Sequence, residues 1–157
     1  LGDTLFFDKQ QELMWDDFTA EQAGGDEYFL PAMGLLFDPE VKFEKGKFEI
    51  KINTGAYFIK ALSWAGKKAR TPQLLTHLQY RFKIAGLVSL KLKKKIETAA
   101  FSCTNYESEI RDLITAANKQ MQTTMEQYNK QTITGNNKKE QKRWQDLIDN
   151  ELAEFEK

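Results

Sequence analysis

The residues best placed to do chemistry in this 157-residue chain fall in one run, Leu74-Leu75-Thr76-His77-Leu78-Gln79-Tyr80-Arg81-Phe82-Lys83. His77 is the single histidine and Cys103 the single cysteine. On a helix, a catalytic zinc site uses imidazoles at i and i+4 to hold the ion and a carboxylate at i+1 to activate its water. Those positions here carry His77, Leu78 and Arg81. One imidazole cannot supply a two-histidine pair, and Leu78 cannot accept a proton. Arg81 adds a fixed cation one turn from His77. Two unit charges 4 Å apart at an effective dielectric of about 20 interact by about 4 kcal/mol, and a divalent ion doubles the opposition. The run therefore predicts no metal ligand, no cofactor and no catalytic residue. His77 reads as a helix histidine satisfied by a hydrogen bond, and Arg81 and Lys83 as solvated or salt-bridged cations. A sharper alternative has Arg81 offering its charge to a peptide carboxylate or an acidic side chain.

Other reactions find less support. There is no phosphate-binding loop, no glycine-rich dinucleotide fingerprint and no serine elbow. Cys103 and His77 fall on different elements, so a thiol–imidazole dyad has no local context, and Cys103 reads as a buried, inert thiol. Lysines and arginines number 23 and acidic residues also 23, giving zero formal net charge. That balance supplies no long-range attraction to nucleic acid or anionic membrane. The Lys91–Lys95 cluster reads as a solvated helix end whose cations complement the helix dipole. No stretch reaches the roughly 20 apolar residues of a transmembrane helix. A start at Leu1 is what a removed signal peptide would leave, and equally what trimming would leave.

These side chains need elements to position them. The length suits a single domain, mainly strands over 1–70 and mainly helices over 71–157. Asp3–Phe7 is a strand candidate, and Glu27–Phe37 is an edge or bulged strand because Pro31 and Gly34 interrupt it. Val41–Phe43 and Lys47–Asn53 flank a hairpin turn with Gly46 in it. Phe48, Ile50 and Ile52 alternate with Glu49, Lys51 and Asn53, so one face meets a core. Ala56–Trp64 reads as a further strand after a break at Thr54-Gly55. Trp15, Phe18 and Trp64 belong to the core or its rim. Thr71-Pro72 opens a first helix to about Glu97. Thr104-Asn105-Tyr106-Glu107 has capping-box spacing and opens a second to about Gln131. After a loop around Gly135, a third helix covers Lys138–Phe155 with Trp144, Leu147, Ile148, Leu152 and Phe155 on one face. The expected fold is α+β, a small, mainly antiparallel sheet with long helices.

The order of several short motifs resembles an uncharacterised bacterial family of secreted zinc-dependent proteases in the zincin superfamily. Trp15-Asp16-Asp17-Phe18 matches an early W-x-D-F, and Ser63-Trp64 a Ser-Trp before the metal helix. Leu75–Lys83 stands against L-x-H-E-Q-x-H-F-D. Tyr128-Asn129-Lys130-Gln131-Thr132-Ile133-Thr134-Gly135 stands against Y-D-x-E-T-x-H-G, and Gln141-Lys142-Arg143-Trp144 against Q-x-x-W. The departures fall where the family's chemistry sits: Leu78 for Glu, Arg81 for His, Lys83 for Asp, Asn129 for Asp, Gln131 for Glu and Thr134 for His. The resemblance implies a zincin-like pseudoprotease in a secreted, periplasmic or cell-envelope setting. His77, Leu78, Arg81, Tyr128, Asn129 and Thr134 would line a vestigial cleft that holds a peptide or protein ligand. The alternatives are a structural or assembly component of the envelope and, third, a metallopeptidase with a rebuilt site.

Overall fold

The computed structural model describes residues 3–155. Its first half is sheet and its second half helix. Strand β1 (Thr4–Phe6), β2 (Phe29–Leu30), β3 (Met33–Glu44), β4 (Lys47–Ile59) and β5 (Trp64–Ala65) precede α1 (Pro72–Thr98), α2 (Tyr106–Thr132) and α3 (Lys138–Glu154). β1, β4 and β3 form an antiparallel sheet with β4 in the centre, and β2 pairs with β5. The fold is thus α+β with a small antiparallel sheet.

The β3–β4 hairpin turns at Lys45-Gly46, both with positive φ (49° and 76°), the twist that suits a two-residue hairpin turn. Its register zips opposite charges together on one face: Glu40 faces Lys51, Lys42 faces Glu49 and Glu44 faces Lys47. Val41 meets Ile50 and Phe43 meets Phe48 on the other. The expected break at Thr54-Gly55 is not there. β4 runs unbroken through both residues, because Thr54 and Gly55 pair with Phe37 and Leu36 and the Thr54 hydroxyl donates to the Ser89 carbonyl at 3.0 Å. The chain leaves the strand only at a 3-10 turn, Lys60–Leu62. The single expected strand over Glu27–Phe37 divides in two, and Pro31 and Ala32 separate β2 from β3.

Thr71 caps α1 through its hydroxyl, which accepts from the Leu74 N–H at 3.1 Å, and Pro72 takes the first turn. α2 starts later than expected. Asn105, not Thr104, is its N-cap, without a side-chain cap, and the Ser102 hydroxyl accepts the Asn105 N–H at 3.1 Å. Asn137 caps α3 by accepting from Glu140 N–H at 3.1 Å. Leu78, Phe82 and Ala85 of α1 are completely buried, with Phe58 of β4. On α3, Trp144, Ile148 and Leu152 are buried but Leu147 is exposed. Phe18 is core, and Trp15 and Trp64 are half-buried at its rim. Cys103 is exposed in the α1–α2 connection, against the expectation of a buried thiol.

Candidate functional site

α1 turns His77 toward the C-terminal end of α2 and the start of α3. Its ring stacks on Tyr128, centroids 4.3 Å apart and nearly parallel at 8°. Tyr128 in turn meets Trp144 edge-on at 5.4 Å. All of His77, Tyr128 and Thr132 are fully buried, and Gln141 nearly so. Burial forces each polar atom to find a partner.

The hydrogen bonds determine one another. The Tyr128 hydroxyl donates to the His77 carbonyl at 2.9 Å and accepts from Gln141 Nε2 at 2.8 Å. That leaves Gln141 Oε1 facing His77 Nδ1 at 3.0 Å, so Nδ1 carries the proton. The Thr132 hydroxyl donates to the Tyr128 carbonyl at 2.7 Å and lies 3.4 Å from the same Nδ1. The other ring nitrogen, Nε2, faces Asn129 Oδ1 at 2.9 Å. An imidazolium would take the amide oxygen there, whereas a neutral ring would take the amide nitrogen. Burial, the largest cause, pulls the His77 pKa below its ordinary value against the hydrogen bonds from Gln141 and Asn129, which raise it, and nearby Arg81 adds to the lowering. The lowered pKa favours the neutral ring at neutral pH, with its proton on Nδ1; the Asn129 amide then turns end for end to bring its NH2 to Nε2. In that form both nitrogens are saturated by α2 and α3.

Arg81 follows one turn later. It is neither freely solvated nor salt-bridged, against expectation. Its Nε is buried and has no hydrogen-bond partner among the described residues. Burial lowers its pKa and Tyr128 opposes that, with no carboxylate contributing. Lys83 does behave as expected, pairing with Asp149 at 3.2 Å, and Tyr80 donates to the same carboxylate at 2.7 Å.

The remaining expected site residues separate. Leu78 points away from the polar cluster into the apolar core, with no exposure at all. Thr134 sits in the α2–α3 loop at φ 50°, between Ile133 at 49° and Gly135 at 89°. It lines a cleft of about 390 Å³ with Phe29, Lys68, Gln73, Leu74 and Asn136. This loop returns to the site, because a Cβ on Gly135 would stand 3.1 Å from the His77 Cβ. His77, Tyr128 and Asn129 thus come together, with Arg81 beside them, Thr134 at the margin and Leu78 elsewhere. Thr132 and Gln141 complete the cluster and were not singled out as site residues, although both belong to the short motifs of the later part of the chain. Among the described residues, no three His, Cys, Asp or Glu side chains converge as a metal site would require. No helix of the described chain is long and apolar enough to cross a membrane.

No protein-family model, curated protein or solved structure matches this chain.

Proposed function

We propose that the chain is a zincin-like pseudoprotease: a non-catalytic module that holds a peptide or protein ligand in the former substrate groove, at the surface beside the sealed His77 cluster. The observation that carries this reading is the saturation of His77. Its two nitrogens are engaged by Gln141 and Asn129 at 3.0 and 2.9 Å, and its ring is clamped on Tyr128. A residue used this way joins three helices. The motif resemblance supports the scaffold reading and implies a secreted or envelope setting. The cleft beside Thr134 and the partly exposed Arg81 supply surface on either side of the sealed cluster.

An array of random peptides tests the reading. Wild type is expected to capture a subset of sequences. Gln73→Trp, which narrows the cleft of about 390 Å³ from an exposed helix position, is expected to lose part of that subset. Equal capture by both proteins would count against binding along this face.

A further inference from the structure

The central strand of the sheet is paired on both sides for only part of its length. β1 pairs with β4 over Tyr57–Ile59, and the Phe7 N–H makes the last bond on that side, to the Ala56 carbonyl at 2.9 Å. On the other side the Ile59 N–H donates to the Ala32 carbonyl at 2.8 Å, which fixes the phase of the ladder: odd-numbered β4 residues bond to β3. Phe48, Ile50, Ile52 and Thr54 therefore turn their N–H and C=O groups to the side that β1 has left. No described strand meets them there.

Nothing blunts this edge. Lys47–Thr54 pairs with β3 residue for residue, without a bulge, and contains no proline. The outer edge of β3 differs, because Pro39 falls in its outward-facing set and removes a donor there. Under the open edge of β4 lies a cavity of about 620 Å³, with Phe48, Ile50 and Ile52 on the sheet side and Ile96 and Phe101 opposite. On the solvent face, Glu49 and Lys51 are exposed. Lys42 and Glu40 stand opposite them in β3, yet among the described residues neither Glu49 nor Lys51 closes an ion pair.

We propose that two copies of the chain pair through this edge of β4, antiparallel about a twofold axis at Ile50, so that their two sheets become one. The contact is distinct from the ligand surface beside His77. Charge selects its register. With Ile50 opposite its own symmetry mate, Glu49 faces Lys51 of the second copy and Lys51 faces its Glu49. Each row across the four strands then alternates in sign: Glu40, Lys51, and Glu49 and Lys42 of the second copy. On the apolar side Phe48 meets Ile52 of the second copy, and the pair closes the mouth of the cavity. An axis at Lys51 sets two lysines directly opposite each other. An axis at Ile52 replaces both charge pairs with Lys51 against Asn53, and sets Phe48 against Ala56, whose carbonyl already holds Phe7.

Sedimentation of the full chain over a range of concentrations tests this. Wild type is expected to form a dimer that dissociates on dilution. Glu49→Lys and Lys51→Glu each turn both contacts from opposite to like charge, and each alone is expected to weaken the dimer about tenfold. An equimolar mixture of the two variants restores opposite charges at both contacts, and is expected to recover the wild-type dimer. Ile50→Pro removes an outward N–H and no bond to β3, so it is expected to abolish the dimer, and it replaces the charge variants if either fails to fold. A wild-type chain that stays monomeric overturns the proposal. A dimer that neither charge variant weakens overturns it too, and so does a mixture that associates no better than its components.

Discussion

At the residue scale, the account turns on a histidine whose ordinary chemistry has been used up. Gln141 alone touches both His77 Nδ1 and the Tyr128 hydroxyl. Replacing it with Leu roughly keeps the volume and strands the buried His77 Nδ1–H, while the Tyr128 hydroxyl keeps its bond to the His77 carbonyl. The expected cost is about 1–3 kcal/mol for the group left unsatisfied, read from urea denaturation. Proton linkage gives a second prediction. The unfolded His77 titrates near the ordinary value of about 6.5, and the folded one lower. The unfolded chain therefore takes up the proton first. The contribution of neutral His77 is fully present above about pH 6.5 and is lost as pH falls from there through the folded pKa. Because this is the only histidine, stability between pH 7 and 5 should fall more steeply in wild type than in His77→Gln. The difference is at most about 1.4 kcal/mol per pH unit. Parallel pH profiles would refute the assignment of a lowered pKa. Sequence spacing reached His77 and Arg81 on one face, but it did not reveal Arg81's missing partner. Whether a cation meets a carboxylate depends on what α2 and the sheet bring to it, and neither is local in sequence.

At the element scale, the α2–α3 loop carries strain. Ile133 and Thr134 are β-branched and both sit near φ 50°, a conformation costly for such residues. Five backbone bonds hold the loop there, including Thr134 N–H to the Asn129 carbonyl at 2.9 Å and Asn137 N–H to the Thr132 carbonyl at 2.8 Å. Exposed Ile133 is thus expected to be replaceable by Gly with a gain of about 1 kcal/mol. Gly135→Ala should be destabilising by more than Gly46→Ala. Both glycines have positive φ, but an added Cβ meets nothing within 4 Å at Gly46 and stands 3.1 Å from His77 at Gly135. Thermal melts of the three variants test the ordering; a Gly135→Ala protein as stable as Gly46→Ala would mean the loop does not press on His77. The helices were legible because apolar spacing and Thr71-Pro72 mark them locally. The continuity of β4 was not legible. Thr54 and Gly55 look like a break in isolation and are held in line only by β3 and by Ser89 of α1.

At the scale of the whole molecule, one apolar core joins the sheet to all three helices, from Phe18, Phe58 and Leu78 to Ile110, Trp144 and Leu152. The α+β division between the two halves follows from the change in hydrophobic period near Arg70, and the sequence alone shows it. The polar cluster was only partly visible there. Tyr128 and Asn129 stand out beside His77, whereas Gln141 lies 64 positions away and becomes a partner only when α3 folds back along α1. The central claim, that His77 joins helices and does not ligate a metal, is tested most directly by nitrogen NMR of its ring at neutral pH, with and without one equivalent of zinc. The account predicts a neutral ring protonated on Nδ1 and unchanged by zinc. A stoichiometric zinc-induced shift of Nε2 would contradict it.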